Sequence, residues 1–307
     1  MINTFPAVIR LKKYFNAEIH WLAAPLSYPL IKNHSCVDRV ILFDKNEKHG
    51  LAAAINSIRK ETYDIAFDFQ RTLKSGFFCF ISKSRKKIGF DKARCKELTW
   101  LYPFTRIPAS DPGKHMLDQY LDFTDYLGIK SDSITWDIPL PDYMDIELPV
   151  KYLVLNIGAT KQANLWQTSN FAELARRVYD KTKIISVLTG GGKKDNKEAL
   201  VITEMAGRSV INLVGKTSLN QLAGVISNAL AVVSCDTGPM HLAVALGKTT
   251  IALFGPSDPR RTGPYRGQVI ARPMPCSPCN KKKCSEPKCM QMITPGDVFL
   301  KIMEILK

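Results

Sequence analysis

The chain has 307 residues, 45% of them hydrophobic and 9% aromatic, which marks a globular protein with enough apolar material for two cores and excludes a disordered chain. Its formal net charge of +15 requires anionic surroundings, and nucleic acid, acidic lipid head groups and phosphorylated sugars all meet that demand, as does a plain solvated basic surface. No apolar run approaches the ~20 residues of a bilayer span, and the first residues lack the basic, then apolar, then small order of a secretion signal, so a cytoplasmic protein is expected.

In chain order, FPAVIRLKKYF predicts a helix over 5–15, followed by strands within AEIHWLA and VDRVILFD. A helix is expected over 49–60, a strand in YDIAFDFQ, a helix over 73–82, a short strand in KKIGFD, and an amphipathic helix over 115–127 closed by Gly128. Three prolines and several acidic residues in IPLPDYMDIELP, with little periodicity, read as an interdomain linker over 138–149. The alternation then restarts: strand YLVLNIG, helix 170–179, strand IISVLTG, helix 195–206, strand SVINLVG, helix 218–228. Strands alternating with helices imply parallel sheets covered on both faces, so the expected fold class is α/β with two doubly wound domains, 1–145 and 146–307.

The segment LAVVSCDTGPMHLAVALGKTTIALFGPSDPRRTGPY carries the strongest local signal. Residues 230–235 form an apolar run of strand length, Asp236-Thr237-Gly238 supplies cap and turn chemistry, and Pro239 suits a first helical position because it has no amide to leave unpaired. Gly247 ends the helix, and 249–254 is a second buried strand. A helix starting at a strand tip points free amides and a positive dipole end outward, where an anion, above all a phosphate, fits. Read from the residues alone, Asp236 serves equally as a plain N-cap and His241 as a satisfied helix histidine. Gly190-Gly191-Gly192 with Asp195 is a glycine-rich turn opening a helix, compatible with nucleotide binding or with a tight connection alone.

Of the eight cysteines, Cys36, Cys79, Cys95 and Cys235 are isolated and expected to be buried or inert. Cys276, Cys279, Cys284 and Cys289 follow a C-x2-C-x4-C-x4-C spacing in a cysteine-rich loop, 276–289. Four thiolates so spaced can hold a structural zinc or an iron–sulfur cluster, and Lys281 to Lys283 would lower thiol pKa equally well in a metal-free loop.

The segment from Asp236 to Tyr265 resembles glycosyltransferase family 9, the ADP-heptose:lipopolysaccharide heptosyltransferase family. So do YDIAFDFQRTLKSGFFCFISKSRKKIGFD, HMLDQYLDFTDYLGI and NIGATKQANLWQTSNFAELARR, so that the resemblance spans nearly the whole chain. It implies a GT-B fold of two Rossmann-like domains, the first handling acceptor and the second the nucleotide-sugar. It places Asp236, Thr237, Gly238 and His241 against the donor's diphosphate and sugar, Thr160 at a donor-contacting loop position, Asp195 near the nucleotide and Thr217 at the base pocket. Where the family has a lysine before an Arg-Trp-Pro-like run, this chain has Asn164-Leu165-Trp166-Gln167. Lys161 is then a substitute cation for the diphosphate or a solvated surface charge.

The family pattern begins with a strand and a loop whose Asp deprotonates the acceptor hydroxyl. Aligning Thr4-Phe5-Pro6 with that pattern puts this Asp immediately before Met1, so a start truncated by one strand, with no catalytic base in the chain, is expected. Asp68, which closes a strand, is a weak replacement. The resemblance implies an inverting glycosyltransferase that moves a heptose or related sugar from a nucleotide-sugar to the lipopolysaccharide core. No cofactor is required, and the acceptor is a phosphorylated lipid at the inner face of the inner membrane, where the basic surface meets anionic lipid. A non-catalytic remnant that binds sugar-nucleotide or lipopolysaccharide is the alternative. A nucleic-acid partner is not expected, since neither stacking motifs nor a recognition helix accompanies the basic residues.

Overall fold

Parallel strands cannot be joined by tight turns, so each pair needs a crossover, and helices fill most of the crossovers in this chain. The computed structural model describes residues 1–131, 133–143 and 145–307, which divide into two units, 3–137 and 138–307. The boundary falls eight residues before the expected one. The proline-rich segment travels with the second unit, where Gln221 Nε2 donates to Asp145 Oδ1 at 3.1 Å.

The first unit runs α1 (Phe5–Phe15), β1 (His20–Ala23), α2 (Tyr28–Lys32), β2 (Arg39–Leu42), α3 (Gly50–Lys60), β3 (Thr62–Asp68), α4 (Leu73–Ile81), β4 (Lys83–Gly89), β5 (Thr105–Arg106) and α5 (Met116–Tyr126). Asn16 at φ 47° ends α1 in the left-handed region that asparagine tolerates. Thr72 and Ser75 form a reciprocal capping box that fixes the start of α4. Two parallel sheets result, β1-β2 and β3-β4-β5, with no ladder between β1 and β3 among the described residues. Side chains link them instead: His20 Nδ1 lies 3.3 Å from the Tyr63 hydroxyl, and the two rings meet edge to face. Ile41, Ala54, Ile58 and Phe78 form one core of this unit, and Ile88, Phe90, Ile107 and Phe123 another.

The second unit runs β6 (Tyr152–Asn156), α6 (Thr168–Thr182), β7 (Ile185–Thr189), α7 (Lys193–Ala206), β8 (Val210–Asn212), α8 (Leu219–Asn228), β9 (Val232–Cys235), α9 (Gly238–Ala245), β10 (Thr250–Phe254), α10 (Pro259–Thr262), β11 (Gln268–Ala271), α11 (Lys288–Gln291) and α12 (Pro295–Ile305). Its six strands lie in the order β8-β7-β6-β9-β10-β11, all parallel. Every residue of β6, β9 and β10 is buried, which is why these strands read as continuous apolar runs rather than alternating ones. The winding direction reverses between β6 and β9, and a sheet of this kind opens a crevice at the carboxyl ends of the two strands flanking the reversal.

Among the described residues, six of the strands and α-helices were not anticipated. The brief α2, β5, α10, β11 and α11 are too short to show a period. The longer α12 carried a legible start, Thr294-Pro295-Gly296-Asp297, and folds with the corresponding capping box. The core of the second unit includes Phe171, which is 1% exposed and packs edge to face on Trp166 at 4.9 Å. Phe171→Ala is expected to cost about 3–5 kcal/mol in chemical denaturation of the second unit, because a cavity that size collapses only partly.

Candidate functional site

Asn156, the last residue of β6, is 1% exposed and binds three strand tips together. Its Nδ2 donates toward Gly158 O at 3.2 Å, Ser234 Oγ at 3.2 Å and Thr237 Oγ1 at 3.3 Å, while Thr189 Oγ1 donates to its Oδ1 at 3.4 Å. Thr237 is the N-cap of α9, with an extended backbone, yet its hydroxyl turns back to Asn156 and lies 2.9 Å from Ser234 Oγ. It caps no amide. The first-turn amides of α9 therefore face the crevice with the helix's positive end, and Pro239 removes one amide that would otherwise need a partner.

Asp236 is not the N-cap but the residue before it. Its Oδ2 accepts from Asn164 Nδ2 at 3.3 Å and from Thr262 Oγ1 at 3.5 Å. Asn164 and Ser257, each 2% exposed, bond to one another at 3.3 and 3.4 Å, and Lys161 Nζ donates to Ser257 Oγ at 3.5 Å. One polar chain thus joins the loop after β6, the tip of β9 and the loop after β10. Trp166 anchors the first of these loops by donating from Nε1 to Ile293 O at 2.8 Å.

Of the sequence-predicted residues, Lys161, Asp236 and Thr237 enter this network. Gly238 and His241 lie in the first turn of α9, and Thr160 is exposed on the β6 loop beside Lys161. Asp195 is engaged in the fold: its Oδ2 accepts from Gly191 N at 2.9 Å, and a Cβ built on Gly158 would lie 2.2 Å from that oxygen. Thr217 follows β8, two strands from β6, and joins none of these bonds among the described residues. Sequence reasoning missed Asn156, Ser234, Ser257 and Thr262. Asn156 and Ser257 do carry a signal, a polar residue at or just past the carboxyl end of a buried apolar strand.

Behind the site, complete burial pushes the Cys235 thiol up to about 12, so it is inert there. Beside it, the hydrogen bond from Arg260 holds the Asp258 carboxyl below its ordinary range. In the first unit, Asp68 is buried and accepts from the Gln70 and Arg71 amides at 3.1 Å each, and burial raises its pKa. Its geometry is that of a turn cap.

Residues 51–290 match the family profile of glycosyltransferase family 9 (heptosyltransferase). The chain belongs to glycosyltransferase family 9. It is accordingly a transferase of the EC 2.4 class. It is 27% identical to lipooligosaccharide heptosyltransferase 2 of Campylobacter jejuni over 321 aligned positions, covering 98% of this chain and 93% of the relative. It is 25% identical to lipopolysaccharide core heptosyltransferase OpsX of Haemophilus influenzae over 274 positions, covering 86% and 78%. Its fold matches E. coli heptosyltransferase WaaC with ADP at a TM-score of 0.80, with 23% identity over 99% of this chain and 95% of that one. These are GT-B folds, as expected. The coverages lend no support to the expected truncation at the start.

The cysteine spacing is open to a structural metal or to a metal-free loop. Among the described residues no three His, Cys, Asp or Glu side chains assemble as a metal-holding group, the set Cys276, Cys279, Cys284 and Cys289 included, and all four thiols are free. Cys289 is drawn into the core on α11, against Gly255, and burial raises its pKa, whereas Cys276 is exposed on the loop after β11. Cys276 and Cys279 lie close enough to Cys289 for their charge to raise its pKa further. Among the described residues no preformed zinc or iron–sulfur tetrahedron stands at this loop.

Gly158 and Asp195 give a direct check on how the β6 and β7 turns are held together. Gly158→Ala is expected to displace the Asp195 carboxylate, to destabilise the second unit by about 1–3 kcal/mol, and to speed hydrogen exchange at the Gly191 amide.

Proposed function

We propose that this family 9 transferase moves a heptose, with inversion, from ADP-heptose onto a lipopolysaccharide core acceptor. The observation that carries the reading is the start of α9 at the sheet's reversal point, where the Thr237 hydroxyl is turned away and the amides are left for a diphosphate. Support for the donor comes from E. coli heptosyltransferase WaaC, which has been solved with ADP and with ADP-2-deoxy-2-fluoro heptose. Support for the acceptor comes from relatives named for the lipopolysaccharide core and for lipooligosaccharide.

In this reading the acceptor hydroxyl gives its proton to a base as it attacks the anomeric carbon, which becomes oxocarbenium-like, and the diphosphate leaves into the amides of α9. His241 donates to the leaving-group oxygens. Lys161 supplies the positive charge that Asn164 cannot, reaching the diphosphate from the loop after β6. Asn164 and Thr262 orient the Asp236 carboxylate toward the sugar. Thr160 contacts the donor, Asp195 shapes the nucleotide end through the glycine turn, and Thr217 lines the base pocket. The roles assigned to these residues all concern donor and leaving group. The first unit handles acceptor, and the chain works as a peripheral protein at the cytoplasmic face of the inner membrane. Among the described residues, no helix is long and apolar enough to cross a membrane.

A second reading, a non-catalytic binder of sugar-nucleotide, is favoured by one observation: a neutral amide, Asn164, stands on Asp236 where the family pattern has a lysine. Single-turnover assays with ADP-heptose and a core acceptor separate the two, because a binder retains ADP affinity and forms no product.

Asp236→Ala and His241→Ala are each expected to abolish the rise in Tm that ADP produces, while the unliganded protein loses only about 1 kcal/mol. An undiminished rise in both variants would remove the site assignment. Lys161→Met is expected to weaken ADP binding about tenfold, and the difference from wild type should shrink as salt is raised, as a charge contact requires. Isothermal titration at two ionic strengths checks both points.

A further inference from the structure

The outward face of the first unit carries an apolar patch that its core does not use. Leu73, Phe77 and Phe80 are spaced along one face of α4, and Leu98, Trp100 and Leu101 lie on the loop that packs against it. All six are between 37% and 63% exposed. Loop and helix are fastened to each other: Leu73 N donates to Glu97 Oε2 at 3.0 Å, and the Tyr102 hydroxyl donates to Leu73 O at 3.1 Å. The Tyr102 ring lies so close over Gly76 that a Cβ there would sit 2.4 Å from it. The patch is therefore one surface rather than scattered side chains, and contiguous exposed apolar area of this kind marks a docking site.

The charge around it selects the partner. Residues 71–106 hold ten basic residues against two acidic ones, so more than half of the chain's net charge of +15 resides in little more than a tenth of its length. Neither acid faces outward unengaged: Glu97 accepts from the Leu73 amide, and Asp91 is buried against Arg94. Lys83 and Lys92, which flank the patch in sequence, are exposed, and Lys92 Nζ sits 4.5 Å over the Trp100 ring. An apolar cluster with a tryptophan, rimmed by lysines, combines the two signals that stable but reversible attachment to a bilayer needs.

We infer that the exposed faces of α4 and the 96–102 loop dock this chain on an anionic lipid bilayer. The apolar side chains enter the head-group layer and the lysines pair with lipid phosphates. This deepens the peripheral placement in the reading above. It stands or falls separately from the chemistry, because vesicle binding and sugar transfer to a soluble acceptor are measured independently.

The test is flotation of the full chain with phosphatidylcholine vesicles and with phosphatidylcholine–phosphatidylglycerol vesicles. Wild type should bind the second and not the first. Phe77→Ser/Leu101→Ser should lower partitioning about tenfold, and each of Lys83→Gln and Lys92→Gln about fivefold. All these variants should keep wild-type Tm and its rise with ADP, since the positions are exposed. Equal binding to both vesicle types, no binding to either, or unchanged partitioning of the variants would overturn the proposal. So would a concentration-dependent dimer that Phe77→Ser/Leu101→Ser abolishes, since the face would then belong to a second copy of the chain.

Discussion

The second unit depends on one side chain at the reversal of its sheet. When strand order switches direction between β6 and β9, the helices that follow them diverge to opposite faces, and the gap between their starts must be held open by something stiff. Asn156 does this with a single amide, reaching the hydroxyls of Ser234 and Thr237 across to β9 and accepting from Thr189 on β7. Since Thr237 spends its hydroxyl on that bridge, α9 starts without a side-chain cap. The uncapped start and the held-open crevice have a common origin.

A second layer of polar bonds surrounds this bridge. Asn164, Asp236 and Ser257 from three loops and Thr262 at the end of α10 are joined without a charged pair among them, and at the edge Lys161 donates to the neutral Ser257 hydroxyl. Buried polar groups in such a chain are costly unless each is satisfied, so the network fixes loop positions more than it adds stability. Asn164 suits that role. A lysine at a position 2% exposed would need a carboxylate to itself, and Asp236 would then be an ion-pair partner rather than a shared acceptor.

The sequence made the doubly wound α/β class, the paired units and the α9 start legible, because buried parallel strands leave unbroken apolar runs and helix starts leave Pro, Gly and cap residues. What stayed hidden depended on tertiary geometry. Asn156 and Ser257 look like ordinary polar residues until strand order places their tips side by side. The glycine turn at Asp195 is open in sequence to nucleotide binding or to a tight connection, and only the fold brings its carboxylate, bonded by the Gly191 amide, against Gly158, 37 positions earlier in another loop. The cysteine spacing suggested a metal because spacing says nothing of burial. Cys289 is largely buried, and among the described residues the four thiols form no preformed metal-holding group.

The indole of Trp166 is bonded to Ile293 O, just ahead of α12, and α12 packs back on α6. The loop that carries Thr160, Lys161 and Asn164 is thereby clasped from behind by the last helical segment of the chain. Its residence in one conformation is set by how long that tail stays attached, so fraying of the carboxyl end would be felt first as loosened order in the loop after β6, well before the sheet itself opened.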